Sequence, residues 1–489
     1  MSILIRGGYI LTCDAANRIF ERGDIFIQGS DITQLDTNLD IVELQPDQVI
    51  DAKNKLITPG WVNANLCSSE NLLRGLFENL PIETHFLFTR HATDAGLIDP
   101  EWTFVSNLLS GIEALKSGVT TVQDRSAQLS TVSVQDTDAQ FSAYREIGLR
   151  ANIALDMSCN HASTTSLHQI RGIPKELLSA ANSESAICNL DELVERYELV
   201  FSNWHNVSDG RLRVSMSFSG WEGIDEALIE WIGDICTRNG VPLLIPVSET
   251  NPKLLAETPG NNAGSVIDYL DRFGLLAPYT SLLHCNWVTE EEIEKITRAG
   301  VTVVHGPIRN LNLGSGVMPM DDFLSAGANI ALGTDGVSRN GNLNMFAIMK
   351  MTALLHCIVQ PDYTKWPRCE SVLGMATEGG ARSCLIQDKI GRLEVGCRAD
   401  LVIYDLNSIP FTPLNNVINQ LVLCERGDSV DTVIIDGKVV LEDGRVSTLN
   451  EEEIFEKARN LQPRIMKGWK EATRVNDWLE PYINQTYNR

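Results

Sequence analysis

The chain has 489 residues, 43% hydrophobic and 21% charged, enough apolar surface for one large α/β domain and a smaller companion. A formal charge of −24 argues against nucleic-acid and anionic-membrane partners, because phosphate surfaces repel acidic faces, and leaves a small-molecule substrate as the expected partner. The 11 cysteines stand singly, Cys13, Cys159, Cys236, Cys357 and Cys424 among them; no C-x-x-C pair suggests a disulfide framework or zinc ribbon, and a reducing cytoplasm fits.

The opening Met1-Ser2-Ile3-Leu4-Ile5-Arg6 lacks the charged start and long apolar core of a signal peptide, so a soluble, non-exported protein is expected. Residues 3–5, 24–27 and 48–51 alternate apolar and polar side chains between Gly and Asp, which predicts short strands. Eight β-rich runs follow, at 61–67, 119–123, 149–155, 212–218, 242–247, 281–285, 301–305 and 329–333. Between them, stretches such as 102–116, 224–237 and 290–299 carry helical spacing, and strand–helix alternation repeated eight times predicts a (β/α)₈ barrel. Strand texture returns at 399–405 and in the run 433–440, where Asp436-Gly437 marks a hairpin turn. The expected architecture is an α/β chain: a β-sandwich built from 1–58 and 386–449, a barrel over 59–385, and C-terminal helices over 450–489. Asn450 and the acidic residues after it suit the positive end of a helix dipole, and one or two helices packed outside the barrel are predicted.

In order and spacing, several segments resemble the amidohydrolase superfamily, in the branch of cytosine, guanine and S-adenosylhomocysteine deaminases and triazine chlorohydrolases. They include Ile57-Thr58-Pro59-Gly60-Trp61, Ser117-Gly118-Val119-Thr120-Thr121, Ser248-Glu249-Thr250, Leu283-His284-Cys285, Val304-His305-Gly306-Pro307, Leu332-Gly333-Thr334-Asp335-Gly336 and Arg398-Ala399-Asp400-Leu401. The resemblance covers nearly the whole chain and implies a homodimer or homotetramer. It also implies a metal held by a His-x-His pair on the first barrel strand, a His on the fifth and an Asp on the eighth. Here those positions read Asn65-Leu66-Cys67, Pro246 and Asp335. An amide is a poor zinc ligand and proline offers none, so no metal is expected; the alternative is zinc on Cys67, His284 and Asp335. Phe218-Ser219-Gly220-Trp221 also departs from the fourth-strand element of the family.

The resemblance assigns proton shuttling to Glu249, substrate polarisation to His284 and proton abstraction from water to Asp335, and these are the expected catalytic residues. Their plain readings are a costly buried carboxylate, a satisfied core histidine and a turn aspartate. Asn65, Cys67, Arg125, Trp287, His305 and Arg309 are candidate substrate contacts. Cys67 is read first as packing, then as a thiolate nucleophile or soft ligand. Arg309 and Arg125 read either as solvated surface charges or as clamps for a substrate carboxylate. Trp287 stacks on a ring or fills the rim, and His85 and His91, six apart, read as surface or lid decoration.

Three functions compete. The first is metal-independent acid–base catalysis by Glu249, His284 and Asp335 on a small nitrogen-containing substrate, heterocyclic, guanidino or amidine-like, by cyclisation, addition–elimination or C–N chemistry. The second is a zinc deaminase or chlorohydrolase with an altered ligand set. The third is a non-catalytic pseudoenzyme.

Overall fold

The computed structural model describes residues 1–82, 84–86, 88–89, 98–128, 133–157, 189–219, 225–249 and 265–487. His91, Cys159, Gly220, Trp221 and Thr250, named above, lie outside them.

Eight parallel strands form the central sheet in chain order: Trp61–Leu66, Val119–Gln128, Arg150–Asp156, Leu212–Ser217, Leu243–Val247, Thr280–His284, Thr302–His305 and Asn329–Leu332. They are referred to here as barrel strands one to eight. Only a short link joins the eighth to the first: Leu66 pairs with Asp335, whose N–H donates to the Asn65 carbonyl at 2.8 Å. That link fixes the backbone of a residue on which the site depends. Inside, Ala64, Ala154, Leu244, Leu283, Val304 and Ala331, from six different strands, form one buried cluster, so the barrel is a packed core and not a pore.

Helices return the chain between strands with ordinary start and stop chemistry. Asp99 caps Pro100–Lys116 by accepting from Trp102 N–H, Thr289 and Glu292 form a capping box on Glu290–Arg298, and Gly148 ends Val134–Ile147 at φ 88°. No helix among the described residues is long and apolar enough to cross a membrane.

The two ends of the chain meet in a mixed nine-stranded sheet. Its seam is the antiparallel pairing of Lys55–Pro59 with Leu401–Asp405. Its own core takes Ile3, Ile25 and Ile57 from one end and Leu401, Ile403 and Ile434 from the other, so both ends of the chain build it. The C-terminal segment is one helix, Glu451–Tyr487. It packs Leu461 and Ile465 against Trp102 and Val105.

Candidate active site

Strand ends five, six and eight share an unusual backbone. Ser248, His284, Cys285 and Asp335 adopt φ of 50°, 77°, 48° and 57°, the left-handed region that non-glycine residues seldom enter. Such conformations cost on the order of 1–3 kcal/mol each and gather where surrounding contacts hold a site in place. Here they flank or include Glu249, His284 and Asp335.

A chain of alternating charges joins these residues. Arg309 stands in Pro307–Asn312, the short helix after strand seven, which begins on a proline whose missing N–H costs nothing there. The residue is wholly enclosed at 0% exposure, with four donor contacts: Nε to Asp335 Oδ2 at 3.1 Å, Nη2 to Glu249 Oε1 at 3.1 Å, and Nη1 to Asn310 Oδ1 at 3.2 Å and Ser315 Oγ at 3.5 Å. Arg339, on the turn after strand eight, donates from Nη1 to the same Asp335 Oδ2 at 3.1 Å and from Nη2 to Glu70 Oε1. Glu70 also accepts from Ser338 Oγ. Glu249, Arg309, Asp335, Arg339 and Glu70 thus alternate in sign. Burying any one without its neighbours would be prohibitive.

The charges set the acidities. Burial alone would raise the Glu249 carboxyl, but Arg309 and then His284 outweigh it and hold it down at about 2. Asp335 is likewise pushed upward by burial and pulled further the other way by Arg339 and Arg309, well below the usual carboxylate range. His284 Nε2 lies 3.0 Å from Glu249 Oε1, yet neither ring nitrogen has an aligned hydrogen-bond partner among the described residues. Burial, and after it Arg309, keeps this imidazole less basic than usual in spite of Glu249.

The expected candidates meet different fates. Glu249, His284, Asp335 and Arg309 come together, and Arg125, partly buried within strand two, acts electrostatically on Glu249 and Asp335. Arg309 is neither a surface charge nor a free clamp for a substrate carboxylate, because Glu249 and Asp335 already occupy it. Asp335 does not stand free to take a proton from water: both guanidinium groups share its Oδ2, and Gly336 N–H donates to Oδ1 at 2.9 Å. Cys67 is buried beside Glu70, and burial followed by that carboxylate pushes its thiol up, against a thiolate role. His305 is fully buried with Nε2 3.2 Å from His356 Nε2, which turns that nitrogen from substrate toward Met345–Val359. His85 is no surface residue: it is 1% exposed, its ring 4.9 Å from that of Phe77 and its Nε2 3.3 Å from the Ser338 carbonyl oxygen. Trp287, partly exposed, donates its indole N–H to the Ser315 carbonyl at 2.7 Å. Asn65 is buried, its Oδ1 without a partner among the described residues.

Glu70 and Arg339 were not singled out from the sequence. Arg339 follows Asp335 by only four residues, but Asp335 at φ 57° lies outside the helix Val337–Asn340, so helical spacing alone does not announce the pair. Glu70 carries no signal either, since its partner is 269 residues away.

These side chains do not fit zinc. Zinc sites need deprotonated N, S or O donors in a tetrahedral set. Asn65 and Pro246 offer no such donor, Cys67 lies buried against Glu70, and Asp335 Oδ2 already takes both guanidinium groups. Among the described residues no three His, Cys, Asp or Glu side chains converge on a metal-sized point.

Comparison with known proteins places the chain in a broader setting. The sequence model described as "Amidohydrolase family" matches residues 56–440. A 5-methylthioadenosine/S-adenosylhomocysteine deaminase of Acetivibrio thermocellus is 29% identical over 471 residues, covering 96% of this chain and 100% of that protein. The structure of an adenosine deaminase from Xanthomonas campestris with bound zinc superposes with a TM-score of 0.80 at 25% identity, over 95% of this chain and 98% of that one. An atrazine chlorohydrolase of Arthrobacter aurescens complexed with zinc shares the fold, with a TM-score of 0.83, 22% identity, and coverage of 94% and 99%. The resemblance read from the sequence and the barrel it implies both hold.

Proposed function

This chain belongs to the amidohydrolase family, and from that premise we propose that it hydrolyses a C–N bond of a small, purine-nucleoside-like amine, with Glu249 moving the protons and His284 holding the incoming oxygen. The substrate class rests on relatives named as deaminases of adenosine derivatives. They favour hydrolytic deamination over the cyclisation or addition–elimination considered above. The observation that carries the reading is the Glu249–His284 contact of 3.0 Å, with Glu249 17% exposed and both imidazole nitrogens without an aligned partner among the described residues. A buried histidine without a structural hydrogen bond is costly unless it serves a ligand.

In such a reaction water adds to the amidine carbon, a C–O bond forms and the first water proton passes to the ring nitrogen; the second passes from the added hydroxyl to the exocyclic amine, the C–N bond breaks to release ammonia, and a C=O remains. Glu249, ionised beside His284, accepts the first proton of water and gives it to the ring nitrogen, then carries the second from the added hydroxyl to the leaving amine. Neutral His284 holds the incoming oxygen. Arg309 keeps Glu249 charged and fixed in place, and Asp335 anchors Arg309.

The competing zinc reading, with Cys67, His284 and Asp335 as ligands, draws support from the zinc-bound structural neighbours. The donor chemistry described above weighs against it, and no step here runs through an ion.

Ammonia release from 5-methylthioadenosine, S-adenosylhomocysteine and adenosine tests the proposal. Turnover of at least one is expected, falling by roughly 10²–10⁴-fold in Glu249→Gln. No release from any of them, or full activity in that variant, removes the reading.

A further inference from the structure

We infer that the Arg309 guanidinium is the resident cation of this barrel: it fills the space between Asp335 and Glu249, supplies the positive charge that a metal on Asp335 would supply, and excludes such a metal. The inference goes beyond the proposed reaction and does not depend on it.

Three observations converge. First, the guanidinium is completely enclosed, and its neighbours are arranged as a coordination shell would be: Asp335 and Glu249 at 3.1 Å on two sides, Asn310 and Ser315 on a third. Arginine stays protonated at every accessible pH, so its charge is as permanent as that of an ion. Second, the positions expected to hold a metal have lost their donors, as Asn65 and Pro246, while the two carboxylates have kept theirs and turned them to arginines. Losing the donors without gaining a cation would have left Asp335 and Glu249 buried and uncompensated. Third, the replacement is doubled, because Arg339 donates to the same Asp335 oxygen and is itself held by Glu70. The role of Arg309 is that of a positioning residue acting through Glu249 and Asp335.

The test uses the full-length chain, washed with chelator and dialysed against Co²⁺, whose visible absorption reports coordination. Wild type is expected to show no bound cobalt. Arg309→Gln leaves Glu249 without its guanidinium and Asp335 with Arg339 alone, so its thermal midpoint should rise with methylguanidinium or with Co²⁺, to which wild type is indifferent. Arg309→Lys retains the charge and should stay free of cobalt. The inference is overturned if wild type takes up about one Co²⁺ per chain that Asp335→Asn abolishes. It is equally overturned if folded Arg309→Gln responds to neither cation. Should Arg309→Gln not fold, wild type and Arg309→Lys decide: cobalt in either refutes the inference, and cobalt in neither supports it. Absent ammonia release would remove the proposed reaction and leave these results untouched.

Discussion

Among the described residues Asp124 has no ion-pair partner, yet it is fully buried within barrel strand two. Burial pushes its carboxyl up, and hydrogen bonds pull it back: Ser68 N–H at 3.0 Å, Ser68 Oγ at 2.5 Å, Gln140 Nε2 at 2.8 Å and Tyr144 OH at 2.7 Å all donate to it. Through Ser68 it pins the turn that begins directly after Cys67 and carries Glu70. Asp124→Ala strands several buried donors together and should cost about 3 kcal/mol or more, read as a lowered urea midpoint, with Asp124→Asn losing less. An unchanged midpoint in the alanine variant would mean that the turn holds without it. Buried polar residues of this kind are poorly legible in a sequence. Glu249, His284 and Asp335 were readable because each ends a barrel strand within a recognisable segment. Asp124 and Glu70 were not, because their worth lies in partners contributed by other elements.

Elements were legible to the extent that local pattern and tertiary pairing agree. Strand two shows where they part. The run Asp124-Arg125-Ser126-Ala127 reads as the start of a loop, so the strand was expected to stop at 123, but Asp124, Arg125 and Gln128 pair with Ile153, Ala154 and Asp156 and extend it to Gln128. The C-terminal helix shows the same override. Pro463 suggests a break, yet Leu461 and Ile465 on either side pack on Pro100–Lys116 and Arg464 pairs with Asp99 at 2.8 Å, so the helix continues. At the opposite end of the barrel from the site, Arg150 opens strand three and joins it to the terminal sheet. It donates to Asp400 at 2.7 and 3.1 Å and also pairs with Asp436, in the left-handed turn of the hairpin anticipated at Asp436-Gly437. Arg150→Met removes the cation from two carboxylates it screens. A loss of roughly 3–5 kcal/mol is expected, and denaturant unfolding followed by tryptophan fluorescence should show the sheet and barrel separating into two steps. A single transition at the wild-type midpoint would count against this clamp.

Across the whole molecule, pH acts on stability in two opposed ways. The chain carries a formal −24, so acidification from neutrality relieves repulsion between exposed carboxylates. Against this stand buried histidines. Burial lowers His85 and His356 to about 4 and His305 well below its ordinary value; the half-buried His205 is also lowered, to about 4. The sign follows from linkage. With folded values depressed, the native chain stays neutral at these rings while the unfolded chain takes up protons near pH 6.5. Their contribution is therefore complete above pH 6.5 and is lost as pH falls toward 4. For the almost fully enclosed His85 and His356, the fall from 6.5 to about 4 corresponds to roughly 3 kcal/mol each. Glu249, held at about 2, extends the loss: its share is present above the ordinary carboxylate value of 4.5 and disappears between 4.5 and 2. Surface repulsion is screened over about 8 Å at physiological salt, whereas the buried rings are not screened, so the histidine effect should prevail there. Thermal midpoints at fixed physiological salt are accordingly expected to fall from pH 7 to pH 5 although net charge shrinks. A midpoint that rises over that interval would show that surface repulsion, and not the buried imidazoles, governs the stability of the chain.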